Sequence, residues 1–243
     1  MSMNLGVEDS DDSWKEQKSH PRNLIPALCE KWVTDTKGGI GIKYKDRIYI
    51  TPSAEREENI QPEDLFVQTM EGEDISGPPP HKKLKKSQCT PLFMNAFTLR
   101  GAGAVIHTRS RAAVMATLTC DGKEFRVTHI DMIKGIRKNK SGGYYRYDEM
   151  LVVPIIDNAQ DEKDLKLQMA EAMAEQPETC AVLVRRNGMY VWGNTWEQAK
   201  EMCERYDYLF DVAVRMLKIR IQPAQVPIDY QNGTDCNCEC VML

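Results

Sequence analysis

Residues 89–108, CTPLFMNAFTLRGAGAVIHT, indicate the class of fold. Thr90 offers a capping hydroxyl and Pro91 suits a first helical turn, so the two predict the start of a helix. Gly101 predicts its end, because glycine adopts the left-handed conformation that terminates many helices. Residues 102–107 are mostly apolar and predict a buried strand. A helix that leads directly into a buried strand is typical of an α/β domain.

Hairpins flank this unit on both sides. Residues 40–51 predict a hairpin that turns at Lys45-Asp46, and residues 180–192 predict another through Asn187-Gly188, a strong two-residue turn signal. The sequence LVVPII at 151–156 is apolar throughout and predicts a strand buried centrally in a sheet. Because hairpins and helix-linked strands are mixed, the sheet is predicted to be mixed and not purely parallel.

Helical patterns fill much of the remaining chain. Acidic residues follow Asp161 in what would be a first turn, which favours a helix through the macrodipole. Thr195 and Gln198 form a capping box before a long amphipathic stripe. Residues 71–87 contain three prolines and no regular period, so they predict a loop. Helices are predicted over residues 23–31, 110–118, 130–136, 161–176 and 196–218, and a further strand over 123–129.

The composition excludes several classes of protein. The 243 residues are 42% hydrophobic and 28% charged, which is typical of one globular domain and excludes a wholly disordered chain. The longest apolar runs fall far short of the roughly 20 residues that a membrane-spanning helix needs. Lys and Arg number 32 against 36 Asp and Glu, and the net charge of −4 predicts no general attraction to nucleic acid.

Composition also predicts the domain boundaries and the compartment. Residues 1–19 are polar and acidic, so they predict a disordered leader without a secretory or mitochondrial targeting signal. Residues 20–222 carry the helix and strand patterns and form the predicted domain. Residues 223–243 predict a disordered, cysteine-rich tail. The eight cysteines include no CxxC pair, which favours reduced thiols in the cytoplasm.

The tail carries a second motif. Cys240-Val241-Met242-Leu243 fits a C-a-a-X prenylation box, and a final Leu favours geranylgeranyl. Cys236 and Cys238 could accept the second lipid that stable anchoring needs. Asp235 and Glu239 are acidic where basic residues would strengthen membrane binding. Membrane association through a prenylated Cys240 and a tail without lipid therefore both stay open.

Several stretches resemble one family. KSQCTPLF at residues 86–93 and GAVIHT at 103–108 resemble the class II aldolase and adducin family, and within it the methylthioribulose-1-phosphate dehydratases of methionine salvage. The resemblance covers residues 20–222. It implies a three-layer α/β/α fold around a mixed, largely antiparallel sheet, a homotetramer with sites near subunit contacts, and a sugar phosphate substrate. Further matching stretches lie at residues 20–22, 60–64, 132–135, 146–149, 151–156 and 190–193.

The resemblance also implies a zinc site. In the family a strand ends in His-Thr-His, where residues i and i+2 face the same side and two imidazoles bind one metal. A third His follows in an Arg-Arg-His-Gly turn. The zinc polarises the substrate carbonyl, a Glu in Thr-His-x-Glu-Met-Ile-Lys-Gly moves the proton, and water is eliminated.

This chain departs from the family at most of these positions. His107 keeps the first ligand, but Arg109 occupies the second position and Asn187 the third. The i, i+2 spacing predicts that Arg109 points inward beside His107. Asp131 replaces the proton-transferring Glu, and Cys89 matches the substrate-contacting cysteine. Zinc is therefore expected to be absent or weakly bound.

The phosphate-binding part of the family differs as well. Its Thr-Gly-Thr-Gly-Gly-Gly motif corresponds to Thr34-Asp35-Thr36-Lys37-Gly38-Gly39 here, and its later Pro-Ser-Gly corresponds to Pro52-Ser53-Ala54. Fewer glycines leave less room for a phosphate against the backbone. The sequence thus favours weaker binding of a sugar phosphate than the family shows.

Three functions stay open. The first is an inactive homologue of the dehydratase, a pseudoenzyme that acts by binding, as a homotetramer or in a mixed oligomer with an active paralogue. The second is an active dehydratase with a rebuilt site, in which His107 acts with Asp131 or His129. The third is a non-catalytic regulator of apoptosome-dependent cell death that binds an apoptosis factor, a role associated with some animal members of the family.

Overall fold

The computed structural model describes residues 19–32, 38–53, 59–160 and 162–227. Most of the predicted leader, part of the Gly-rich segment, Ala54 and the cysteines of the tail lie outside the described residues. The predicted lipid on Cys240 and the domain limits therefore stay predictions. No helix within the described part of the chain is long and apolar enough to cross a membrane.

Most strands join one large mixed sheet. The strands are β1 (Gly38–Tyr44), β2 (Arg47–Ile50), β3 (Pro52–Ser53), β4 (Phe66–Thr69), β5 (Asp74–Ser76), β6 (Lys85–Lys86), β7 (Ala104–Thr108), β8 (Glu124–Val127), β9 (Leu151–Ile156), β10 (Ala181–Val184) and β11 (Gly188–Gly193). The large sheet has the order β5-β4-β2-β1-β7-β11-β10-β9-β8, and β3 pairs with β6 separately. Only β9 and β10 pair in parallel among these described strands. The mixed, largely antiparallel sheet is thus confirmed.

Helices cover both faces of the sheet. The α-helices are α1 (Pro21–Trp32), α2 (Thr90–Arg100), α3 (Arg111–Thr119), α4 (Glu162–Glu175) and α5 (Trp196–Lys218). Short 3-10 helices cover Pro62–Asp64, Pro80–Lys82 and Asp131–Gly135. Helix α2 packs on α4, and α3 packs on α5.

Strand β11 shows that α2 and α5 lie on opposite faces. Tyr190 and Gly193 are three residues apart, so they face opposite sides of the sheet. The ring of Tyr190 contacts Phe93 of α2 with centroids 6.0 Å apart. A Cβ on Gly193 would lie 2.7 Å from the amide nitrogen of Ala199 in α5. The molecule therefore has the predicted three α/β/α layers.

Three predictions that rest on short stretches of sequence are confirmed. Strands β1 and β2 form the predicted hairpin through Lys45 and Asp46. Gly101 ends α2 in the left-handed conformation, with φ of 62°. The hydroxyl of Ser110 accepts a hydrogen bond from the Ala113 amide at 3.0 Å and caps α3.

Four details differ from the predictions. The second hairpin does not turn at Asn187-Gly188, because Gly188 already pairs with Val184 and the Asn187 amide donates to the Val184 carbonyl, so the turn consists of residues 185–187. The hydroxyl of Thr90 does not cap α2, because it donates to the Ser87 carbonyl at 2.7 Å while Cys89 holds the N-cap position. Residues 71–87 are not a plain loop, since the short strands β5 and β6 lie within them. Strand β9 is largely buried, but it lies next to the edge strand and not at the centre. Two- and three-residue strands are too short to show a period in the sequence.

Gly103 provides a test of the tight approach between the end of β11 and the start of β7. A Cβ on Gly103 would lie 1.9 Å from the carbonyl oxygen of Asn194, and a backbone atom cannot move aside as a side chain can. We expect Gly103→Ala to destabilise the protein by more than about 2 kcal/mol, measured as a lower midpoint of urea unfolding. Gly122→Ala is the control, because no atom lies within 4 Å of its added Cβ. Equal midpoints for the two variants would contradict the packing described.

Candidate functional site

A row of three residues crosses the middle of the sheet. Gly39 of β1 and Tyr190 of β11 lie directly opposite His107 of β7, one on each side. Directly opposite residues of paired strands share a face. The rings of His107 and Tyr190 are stacked, with centroids 4.2 Å apart and planes 16° apart. A Cβ on Gly39 would lie 3.5 Å from the Phe93 ring, so α2 covers this row.

His107 is held in one tautomer by its surroundings. Its ring is buried, and Nδ1 lies 3.0 Å from the carbonyl oxygen of Met189. A carbonyl only accepts, so Nδ1 carries the proton and Nε2 is the nitrogen with a lone pair. Burial lowers the pKa of His107 to about 4; the hydrogen bond to Met189 opposes this shift, and the charge of Arg109 adds to it. A neutral imidazole with Nδ1 donating to a carbonyl is the form that binds metals through Nε2.

The turn between β10 and β11 meets the end of β7. A Cβ on Gly188 would lie 2.2 Å from the Thr108 carbonyl oxygen and 2.9 Å from Cα of Arg109. This close approach brings Asn187 to the end of the sheet that carries His107. The structure therefore brings together the three residues that match the family's ligand positions.

Two of these three residues are not imidazoles. Arg109 follows Thr108, the last residue of β7, and is exposed in the single chain, while its charge adds to the lowering of the pKa of His107. The inward direction expected for its side chain stays a prediction. Asn187 is half-buried, and its Oδ1 is buried without a hydrogen-bond partner among the described residues. The group offers one imidazole, one amide and one exposed cation.

Arg185 anchors the turn that carries Asn187. Its Nη1 donates to the carbonyls of Thr117 and Cys120 at 2.8 and 3.0 Å, and its Nη2 donates to Gly122 at 2.9 Å. Its Nε lies 3.0 Å from Oδ1 of Asp157. The guanidinium thus ties the turn to the C-terminal end of α3, where carbonyls lack helical partners. Sequence reasoning missed this role, because the accepting carbonyls carry no side-chain signature.

Cys89 lies at the N-terminus of the helix that covers the row. It is half-buried at the N-cap of α2, and its amide donates to the hydroxyl of Ser87 at 3.2 Å. Its carbonyl accepts from the amide of Phe93, one turn further along, at 2.9 Å. Since Phe93 contacts Tyr190, the first turn of α2 places Cys89 on the same face as His107.

The structure does not bring Asp131 to His107. Strand pairing from β7 through β11, β10 and β9 places Val127, the last residue of β8, at the opposite end of the sheet. Asp131 follows Val127 by four residues, its side chain is 83% exposed, and it forms an ion pair with Lys134. His129 lies in the same segment, with its ring at the edge of Tyr147 and a positive φ of 56°.

No group of three or more His, Cys, Asp and Glu side chains arranged to hold a metal occurs in the described part of the chain. His107 and Asp131 lie at opposite ends of the sheet, as described above. Within one chain the arrangement therefore offers a buried neutral imidazole, a cysteine and an unpaired amide oxygen at one end, and an exposed acid at the other.

Comparisons with known proteins identify similar sequences. The profile described as the class II aldolase and adducin N-terminal domain matches residues 28–214. A protein from Homo sapiens named methylthioribulose-1-phosphate dehydratase is 64% identical over 223 residues, covering 90% of this chain and 92% of that protein. A protein of the same name from Salmo salar is 60% identical over 231 residues, covering 93% of this chain and 92% of that protein.

Solved structures share the fold at much lower identity. An L-fuculose 1-phosphate aldolase superposes with a TM-score of 0.65 at 18% identity, over 90% of this chain and 92% of that chain. YgbL from Escherichia coli superposes with a TM-score of 0.64 at 16% identity, over 82% of this chain and 91% of that chain. At these identities the likeness concerns the fold alone.

The burial of His107 predicts a pH dependence of the metal-free protein. Since folding lowers the pKa of His107 from 6.5 to about 4, its neutral form stabilises the fold fully above pH 6.5. That contribution, roughly 3 kcal/mol, is lost as the pH falls towards 4. NMR of the ring nitrogens should show a neutral, Nδ1-protonated His107 at pH 5.5, and His107→Gln should remove this part of the pH dependence. A charged ring at pH 5.5 would contradict the prediction.

Proposed function

Since this chain belongs to the class II aldolase and adducin family and to its methylthioribulose-1-phosphate dehydratase subfamily, we propose that it is a dehydratase homologue that has lost its zinc site and acts by binding. One observation carries the proposal. Arg109 and Asn187 occupy the positions of two ligands, and the fold brings both to the end of the sheet where His107 remains. The scaffold of the site is kept while its ligands have changed.

The residues at these positions do not fit zinc. A guanidinium stays protonated at all relevant pH values and cannot donate a lone pair to a metal. Its charge already contributes to the low pKa of His107, so a divalent ion bound at His107 would be repelled by it. The neutral amide of Asn187 is a poor zinc ligand. We therefore derive no catalytic step through a metal.

Several features that recognise a substrate in the family are kept. Cys89 lies on the face of His107, and the neutral imidazole still presents Nε2. Binding of a phosphorylated sugar without elimination of water requires these contacts and no Lewis acid. We thus propose that the protein binds a phosphorylated sugar in this site, or assembles with other chains, without catalysing the elimination of water.

We further propose that the site lies near a contact between chains. Asp131 is exposed at the end of the sheet opposite His107, so this acid reaches the site only from a second chain. The second chain is another copy of this protein or a paralogue with intact ligands. In a mixed oligomer, this chain would supply Asp131 to the intact site of its neighbour.

Sequence identity to proteins named as dehydratases favours a second candidate function. The relatives named as dehydratases share 60–64% of their residues with this chain, which supports an active dehydratase with a rebuilt site. Such a site would use His107 with Asp131 or His129, and within one chain these groups lie at opposite ends of the sheet. Metal content and turnover separate the two candidates.

The deciding experiment restores the ligands. We expect the purified protein to hold little zinc, and the double variant Arg109→His with Asn187→His to bind zinc at least about 100-fold more tightly, because two inner ligands return. Zinc content and competition with a chromogenic chelator measure this. Arg111→His is the matched control, since Arg111 is an exposed arginine on α3 outside the three ligand positions.

Turnover provides the second readout. We expect the unmodified protein to convert methylthioribulose 1-phosphate at a rate at least about 1,000-fold below that of an intact dehydratase, because no Lewis acid polarises the carbonyl. Stoichiometric zinc together with comparable turnover in the unmodified protein would contradict the proposal and support the active enzyme. Turnover without zinc would show a different mechanism at the same site.

A further inference from the structure

Three exposed arginines lie at the end of the sheet that carries His107, and we call them the arginine patch. Arg109 follows β7, Arg111 begins α3, and Arg186 belongs to the turn between β10 and β11. A Cβ on Gly188 would lie 2.9 Å from Cα of Arg109, so this turn adjoins the end of β7. Since two residues span at most about 7.6 Å, Cα of Arg111 lies within about 8 Å of Cα of Arg109, and Cα of Arg186 within about 12 Å.

No ion pair neutralises the arginine patch among the described residues. The three guanidinium groups make neither a hydrogen bond nor an ion pair there, whereas the neighbouring Arg185 is paired with Asp157. The segments that form this end of the sheet, residues 38–44, 98–120 and 181–193, contain no Asp or Glu. The patch therefore presents three uncompensated positive charges, which attract an anionic partner.

The N-terminal segment, residues 1–18, carries the opposite charge. Residues 8–12 read Glu-Asp-Ser-Asp-Asp, and no other five consecutive residues of the chain contain four acids. The structure describes the chain from Ser19 onwards, so this stretch lies outside the described residues. The most acidic stretch of the sequence and the arginine patch are thus complementary in charge.

The length of the N-terminal segment permits a contact within one chain. The ring of His20 lies 5.0 Å from that of Tyr44, the last residue of β1, and Gly38, the first, pairs with Thr108. The seven residues of β1 separate these two ends of the sheet by about 20 Å. An extended chain spans up to about 24 Å between residues 12 and 19 and up to about 37 Å between residues 8 and 19. The acids therefore reach the arginine patch.

Attachment to the same chain makes weak ion pairs sufficient. An exposed ion pair strengthens binding by only roughly 1.5- to 5-fold, so a few such pairs give a dissociation constant not far below the mM range. A short tether supplies an effective concentration in that same mM range. The segment would fill the patch of its own chain under conditions in which separate molecules at μM concentration would leave it empty.

We propose that residues 8–12 bind the arginine patch of their own chain and cover the end of the sheet beside His107. Their carboxylates pair with the guanidinium groups of Arg109, Arg111 and Arg186. A phosphorylated sugar would then compete with the N-terminal segment for these cations, and this competition alone rests on the function proposed above. The contact itself requires neither zinc nor a sugar, so it is tested separately from that function.

The experiment uses a ¹⁵N-labelled peptide of residues 1–18 as the probe and the unlabelled full chain as its target. Line broadening of the peptide amides is followed in ¹H–¹⁵N spectra at about 20 mM salt. The first target is a full-length variant whose own segment is neutral, with Glu8→Gln, Asp9→Asn, Asp11→Asn and Asp12→Asn. We expect it to broaden residues 8–12 of the peptide. The unmodified chain should bind the peptide at least about 5-fold more weakly, because its own segment competes at mM effective concentration.

A matched pair of variants locates the contact. In the neutral-segment background, the triple variant Arg109→Gln, Arg111→Gln, Arg186→Gln should weaken peptide binding at least about 10-fold. The control replaces three exposed arginines that are already paired with acids, Arg126, Arg146 and Arg215, by Gln and should leave binding unchanged. Both variants remove three positive charges, so net charge alone cannot separate them. Salt at about 300 mM, where the screening length falls to roughly 6 Å, should also weaken binding at least about 10-fold.

Three outcomes would overturn the proposal. Equal binding of the peptide to the unmodified chain and to the neutral-segment variant would show that the chain's own segment does not occupy the patch, and these two proteins differ only outside the described domain. Equal loss of binding in the two arginine variants would show a general effect of charge. No broadening of residues 8–12 by the neutral-segment variant would show that the patch does not bind this sequence.

Discussion

The pairing of β7 with β1 on one side and β11 on the other is the constraint on which the site depends. The two ladders place Gly39, His107 and Tyr190 in one row, and the row fixes the face that α2 covers. At Gly188 the strands approach so closely that no Cβ fits beside the Thr108 carbonyl. Backbone hydrogen bonds and glycines therefore position the site.

This division between scaffold and ligands explains how the site tolerates substitutions. Arg185 holds the β10–β11 turn through three carbonyls and one carboxylate, whatever residue stands at position 187. His107 keeps its tautomer through the carbonyl of Met189, a backbone atom that no substitution removes. In the function we propose, Arg109 and Asn187 change the chemistry of the site while these hydrogen bonds, which shape it, stay in place.

The sheet also separates His107 from Asp131, the two groups on which the second candidate function depends. His107 lies near the C-terminal end of β7, and Asp131 follows the C-terminal end of β8, which runs in the opposite direction, so the two residues lie at opposite ends of the sheet. Chemistry that requires both groups requires two chains.

Short-range patterns in the sequence were sufficient for the β1–β2 hairpin, the glycine at the end of α2, the Ser110 cap and the strand that carries His107. Sequence patterns also identified the family and the departures from its motifs at Arg109 and Asn187, because both depend only on residue identity and spacing. The exposure of Arg109, the stacking of His107 on Tyr190 and the anchor at Arg185 required the folded structure. Each depends on strand order and register, which are set by packing between segments far apart in the chain, and no local pattern encodes them.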